Sequence, residues 1–186
     1  MLGFLTTPNS IKIHFSDLKW KILEPTDNLS DFDCSKNDIM KLNEFIHKEA
    51  LDYQKENLGV TYLFLYQGKI VGFATLAMGN IEIKRTKHSI PFSTTIKDFP
   101  ALVIARLGVD NNFRWCDIGK NICFWCLSLS QELLRQVGCV LVIALTCGQN
   151  AITFYRKCEF LIEPKHEYTI KFDDRCKVLV YQIIPR

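Results

Sequence analysis

Residues 111–120, NNFRWCDIGK, place an arginine, a lysine, an aspartate and a glycine between an apolar run, ALVIARLGV, and a long apolar-periodic segment. Such residues at the start of a helix suit an anion. The first N–H groups of a helix have no intrahelical acceptor and carry partial positive charge, so they bind phosphate or carboxylate. Arg114 and Lys120 flank them, and Gly119 removes a side chain where a ligand would approach the backbone. On spacing alone a second account stands equal to the first: a solvated loop in which Asp117 caps the helix. Tyr155 offers a different chemistry. A phenol with an ordinary pKa of about 10 is protonated at neutral pH and can donate to a developing anion, although a core aromatic on a short helix fits the same residue.

The elements that must position these groups are legible as patterns. Ser35-Lys36-Asn37-Asp38 has the spacing of a capping box, and apolar residues then recur at three- and four-residue intervals, which predicts a helix over about 36–55. YLFLY, Gln67-Gly68 and KIVGFATLAM read as a β-hairpin. Ile81-Glu82-Ile83 is a further strand candidate, followed by the polar stretch KRTKHSIPFSTTIKDFP. The strand ALVIARLGV, a helix over 118–137, the strand CVLVIAL, a helix from about Gln149 to Lys157, and strands near 166–172 and 177–184 complete the chain. Residues 1–33 are irregular, with a strand-like piece at IKIHF. The two apolar strands joined by a helical crossover should lie parallel, since buried parallel strands read as unbroken apolar runs.

Composition bounds the class. With 186 residues, 48% hydrophobic and 23% charged, and thirteen phenylalanines, the sequence is that of one globular domain spanning 1–186, with 1–33 as an N-terminal extension. No apolar run approaches the roughly 18 residues of a membrane span, and the start lacks the pattern of a signal peptide, so a cytoplasmic protein without membrane partners is expected. The eight cysteines sit mostly within apolar elements and read as buried thiols. Cys123 and Cys126 form a lone CxxC with no second pair to complete a zinc site, so no metal is expected. A net charge of +3 neither demands nor excludes an anionic partner.

The strand ending in LGVD, followed by Arg114-x-x-x-x-Gly119 opening a helix, resembles motif A of the GNAT superfamily of N-acetyltransferases. Downstream, AITFYRKCEF is similar to that family's A-x-x-F-Y-x-x-x-G-F motif through Ala151, Phe154, Tyr155 and Phe160. Upstream, FDCSKNDIMKLNEFIHKEALDYQ and the hairpin resemble the branch that includes toxins acetylating aminoacyl-tRNA. The likeness covers about residues 31–163. It implies an α/β fold with a mixed, mostly antiparallel sheet, a central parallel strand pair and flanking helices. It also implies acetyl-CoA as co-substrate, held at Leu107, Gly108 and Val109 along the strand, at Arg114, Trp115, Cys116, Asp117, Ile118, Gly119 and Lys120 in the loop, and at Asn150.

For the reaction, the resemblance makes Tyr155 the acid that protonates the departing thiolate and a primary amine the acceptor: aminoacyl-tRNA, a protein amino group or a small molecule. Glu82 is the candidate base, against the alternative of a solvent-facing strand glutamate. Arg106 stands in an apolar strand, where a charge needs a partner or a cleft; substrate contact and an internal ion pair weigh equally. Lys84 and Arg85, with Lys87 and His88, form a basic cluster that would hold tRNA phosphates, or a solvated hairpin loop. A homodimer is compatible with all of this. Asp117, Gly148 and Glu159 depart from the family's glycine, asparagine and glycine, and they motivate a second reading, a non-catalytic binding or scaffold protein with a degenerate acetyl-CoA loop.

Overall fold

The computed structural model describes residues 12–82, 98–163 and 178–183. Among these, strands β1 (Leu18–Ile22), β2 (Val60–Tyr66), β3 (Lys69–Glu82), β4 (Asp98–Val109), β5 (Leu141–Thr146), β6 (Leu161–Glu163) and β7 (Val178–Ile183) form one sheet in the order β1-β2-β3-β4-β5-β7-β6. Every pairing is antiparallel except β4 with β5. Helices α1 (Leu42–Lys48), α2 (Ala50–Lys55), α3 (Ile118–Gln136) and α4 (Gln149–Lys157) accompany it. The expected mixed sheet with its parallel pair is therefore present, and α3 is the crossover. None of the described helices is long and apolar enough to cross a membrane.

Among the described residues three side-chain clusters bury the sheet, the smallest being Ile81, Phe99, Ala101, Leu141 and Ile143; the two larger ones lie on opposite faces. On one, α3 and α4 cover Phe64, Ala74, Leu102, Ile104, Val142 and Ala144. On the other, α1 and α2 cover Leu63 and Phe73 with Phe32, Phe45 and Ile46. Gly72 lets α3 lie close to the sheet, because a Cβ there would meet Ile122 Cδ1 at 2.8 Å.

Several expectations need correction. The helix over 36–55 is two short helices that start six residues late. Turns with left-handed Asn37 and Lys41 precede them, and Glu49 interrupts them. Ser35 is not the cap; the Asp38 carboxylate accepts from the N–H groups of Leu42 (2.7 Å) and Asn43 (2.8 Å). Ile81 and Glu82 belong to the end of β3 rather than to a separate strand. IKIHF is not a strand over its described part: a 3-10 turn over Phe15–Asp17 leads into β1. The strand near 166–172 lies outside the described residues, and the last strand is β7. The cysteines are not uniformly thiols. Cys34, Cys116, Cys123, Cys126, Cys139 and Cys158 are free, whereas Cys147 is disulfide-bonded.

Candidate acetyl-transfer site

The site begins as a mismatch between two strands. β4 and β5 pair through only four residues, Ala101↔Leu141 to Ile104↔Ala144, and beyond them they part. The parting coincides with a β-bulge. Thr75 opposes Arg106 while Leu76 opposes Ile104, so Ala105 has no partner on β3. Residues 106–109 keep β3 on one edge, and on the other their alternate N–H and C=O groups face the gap toward β5. Leu107 and Val109 pack half-buried toward α3. Gly108 faces the opposite side, beneath Phe73, whose ring would stand 2.4 Å from an added Cβ.

The loop of residues 110–117 carries the chain from this gap into α3. Buried Asp110 accepts from the N–H groups of Asn112 (2.8 Å) and Asp33 (2.9 Å). The first helical hydrogen bond of α3 runs from Asn121 N to Asp117 O at 2.9 Å. The amides of Ile118, Gly119 and Lys120 thus lack intrahelical acceptors, which is the arrangement an anion needs.

Asp117 is left-handed (φ 64°) and its side chain makes no cap; the carboxylate is drawn aside to Lys12 Nζ at 3.0 Å. That corrects the capping account. For Gly119 the structure adds a reason, since a Cβ there would meet Phe154 Cε2 at 3.0 Å. Close packing of α3 on α4 is thus a reason for glycine at this position.

Segment 33–41, the chain ahead of α1, bridges the two diverging strand ends. At the β4 end, Asn111 N donates to Asp33 O at 2.7 Å and the Arg114 guanidinium donates to Lys36 O. At the β5 end, Met40 Sδ lies 3.0 Å from Cys147 Sγ, and Ile39 lies beside Gly148. The FDC and Leu-Asn motifs serve this segment. Phe32 enters the α1-side core, Cys34 is buried, and Asn43 Oδ1 accepts from Cys34 N at 2.9 Å. Sequence reasoning missed the bridge, although those motif residues were its signal.

Tyr155 sits on α4 in the same buried cluster as Ile104 and Ala144, 7% exposed, with its ring against Phe154 and Phe160. Burial, and then the neighbouring thiols of Cys123, Cys126 and Cys158, push its phenol well above the ordinary value. Those thiols are a finding of the structure: the CxxC, spaced one helical turn apart, faces Tyr155 rather than a metal. Burial raises the Cys123 thiol, while a hydrogen bond from Cys123 lowers Cys158. No group of three or more His, Cys, Asp or Glu side chains among the described residues could hold a metal ion.

The other site residues are placed as follows. Arg106 turns toward α1, with its guanidinium 5.1 Å from the Phe45 ring centroid and Nη1 donating to Ala105 O at 2.8 Å. Asn150 is exposed in the first turn of α4. Glu82 is not brought to the gap: it pairs with Asp98, and seven residues of strand from Thr75 separate it by about 24 Å from the bulge. Lys84 and Arg85, with Lys87 and His88, lie outside the described residues.

The motif departures keep the backbone that glycine would adopt. Gly148 has φ 78° and ψ 152°, a region for glycine rather than asparagine. Glu159, at φ 66°, is the left-handed residue that ends α4, where Phe160 N donates back to Tyr155 O at 3.0 Å. Glu159→Gly should therefore stabilise the protein by about 0.5–1 kcal/mol, the relief of strain exceeding the added chain entropy. Urea unfolding followed by circular dichroism reads this; an unchanged or lower midpoint would refute it.

Residues 26–160 match the acetyltransferase (GNAT) family. The chain belongs to that family. It is a GNAT acetyltransferase, and acetyl-CoA is the co-substrate such enzymes use. Its fold is similar to that of AtaT complexed with acetyl-methionyl-tRNAfMet (TM-score 0.72, 17% identity, 90% of this chain and 95% of that chain covered). It is also similar to a tyrosine-to-phenylalanine mutant of the AtaT toxin bound to the C-terminus of the antitoxin AtaR and acetyl-CoA (TM-score 0.67, 18% identity, 90% and 94% covered). A tyrosine-to-phenylalanine mutant of KacT compares at TM-score 0.69 and 14% identity, with 90% and 95% covered. No curated protein sequence matches the chain.

Proposed function

We propose that this GNAT acetyltransferase transfers acetyl from acetyl-CoA to a primary amine by direct attack in the gap between β4 and β5, with Tyr155 as the general acid. The observation that carries the reading is the parting of β4 from β5 after Ile104 and Ala144, the two residues that share a buried cluster with the Tyr155 phenol, in a chain that then opens α3 with the unbonded amides of Ile118, Gly119 and Lys120. Acetyl-CoA supplies an activated thioester carbonyl. The chain's own groups do the rest. The amides of 118–120 hold the pyrophosphate, with Arg114, Trp115, Cys116 and Lys120 around it. Leu107, Gly108 and Val109 offer backbone to the pantetheine arm, and Asn150 lies at the start of α4 on the far side.

The neutral amine adds to the carbonyl carbon, the carbon–sulfur bond breaks, and the thiolate takes the Tyr155 proton, while the nitrogen gives up one proton to water and the tyrosinate takes one back from solvent. A phenol whose pKa is raised holds its proton throughout the neutral range, so it is in the donating form whenever substrate binds. Glu82 has no part at that distance. An α-amine, with a pKa of about 8, needs no dedicated base. Among acceptors we place aminoacyl-tRNA first, because a fold relative is complexed with an acetylated methionyl-tRNA. The reading takes the chain as one domain acting in the cytoplasm.

Asp117 brings a carboxylate to a pyrophosphate site, and Lys12 offsets it. Calorimetric titration with acetyl-CoA tests the proposal through that pair. Lys12→Ala should weaken binding a few-fold in the native background and leave it unchanged in Asp117→Asn, since only a carboxylate requires the ammonium. No heat of binding from the native protein, with none restored by Asp117→Asn, would overturn the acetyl-CoA reading and favour the scaffold alternative. Radiolabelled acetyl-CoA with methionyl-tRNA, a peptide N-terminus and a small amine then ranks the acceptors.

A further inference from the structure

At 79% exposure Trp115 is the most exposed large apolar side chain among the described residues. Its backbone is left-handed, φ 70°, a conformation that a bulky residue enters only under constraint from its surroundings. The constraint is visible. Lys12 Nζ donates to Trp115 O at 3.2 Å, Ile13 N to Cys116 O at 3.1 Å, and Cys116 N to Phe113 O at 3.3 Å. A wide apolar ring is thus held in water on a backbone pinned on both sides, three residues before the free amides of α3. Cations lie near it: Lys12 is beside it in space, Arg114 precedes it in the chain with its guanidinium on Lys36 O, and Lys120 follows in the first turn of α3 with its ammonium 5.5 Å from the centroid of the Phe124 ring. Asp117, already paired with Lys12, is the opposing charge.

We infer that the Trp115 indole is the stacking platform for the adenine base of the coenzyme, so that this chain binds the nucleotide end of acetyl-CoA as well as its pyrophosphate. The inference rests on the acetyl-CoA reading above. A diphosphate seated on the amides of Ile118, Gly119 and Lys120 leaves its adenosine at the loop, where Trp115 presents a flat π-face and the lysines and arginine present positive charge. Base-on-aromatic stacking tolerates exposure to solvent, because both faces are apolar and little ordering is needed when one of them is already fixed. The exposed ring, an unfavourable feature of the free protein, is covered when the base binds.

The test compares two ligands on three proteins by calorimetry: acetyl-CoA and S-acetyl-4′-phosphopantetheine, which lacks the adenosine 3′,5′-bisphosphate and keeps one phosphate, with native protein, Trp115→Phe and Trp115→Ala. Trp115→Ala should lose about tenfold in affinity for acetyl-CoA and nothing for S-acetyl-4′-phosphopantetheine, and Trp115→Phe should keep most of the affinity for both. Native protein should also show indole fluorescence quenched by acetyl-CoA, a signal absent from Trp115→Phe, since Trp20 and Trp125 pack against each other elsewhere. Equal losses for both ligands would mean that the loop had been distorted, and would overturn the platform. Unchanged acetyl-CoA affinity in Trp115→Ala, even with weaker tRNA binding, would overturn it too while leaving the loop reading standing. Failure of both ligands to bind native protein would remove both.

Discussion

Tyr155→Phe is expected to lower kcat for acetyl transfer by about 10²–10⁴ while acetyl-CoA affinity stays close to native, because removing one hydroxyl deletes the proposed proton donor and leaves the ring in place. The ring is what packs against Phe154 and Phe160, so folding should survive. Single-turnover kinetics separate the outcomes: a slow chemical step at unchanged binding is the signature, and an unchanged step would remove Tyr155 from the mechanism. The pH dependence has a definite sign. Burial raises the folded-state pKa above the unfolded value of about 10, so the Tyr155 contribution to stability is present below pH 10 and is lost as pH rises through the folded pKa. No fall in kcat attributable to this phenol should appear between pH 7 and 9.

The second large effect is on stability. Phe73 is fully buried, edge-on to Phe32 at 5.9 Å and stacked on Phe45 at 6.4 Å, and it closes over Gly108. Phe73→Ala should cost about 3–5 kcal/mol, the removed contacts plus the cavity left under α1. Gly108→Ala should cost about 1–3 kcal/mol by overpacking against the same ring, and much less once the ring is gone. Urea denaturation of both single variants and the double variant measures the coupling. Additive losses would show that the ring does not set the position of β4 beside the gap.

How much of this was legible in the sequence depends on the range of the interaction. The Gln67-Gly68 turn, the apolar runs of β4 and β5 and the period of α3 are local patterns, and they correspond to the elements observed. Between Ser35 and Leu42 local pattern fails: a capping-box spacing is present, but Asp38 caps from a turn whose course is fixed by distant partners, Asp110, Asn111 and Cys147. The family likeness located the Arg114–Gly119 loop, yet one reason for Gly119 is Phe154, thirty-five residues away in the chain. Lys12 as the partner of Asp117, and the thiols facing Tyr155, are juxtapositions of the fold that no spacing carries.

A strand is a parity device: neighbouring side chains point to opposite faces, so one uncounted residue exchanges the faces of everything after it. Ala105 is that residue. Before it, even-numbered Leu102 and Ile104 look toward α3; after it, odd-numbered Leu107 and Val109 do, while Arg106 and Gly108 turn toward α1. The site therefore depends on an odd count. A strand that ran through Ala105 without the bulge would aim Arg106 at α3 and Leu107 at Phe45, exchanging the two sides of the gap between β4 and β5; removing the alanine would straighten the strand and leave both where they are.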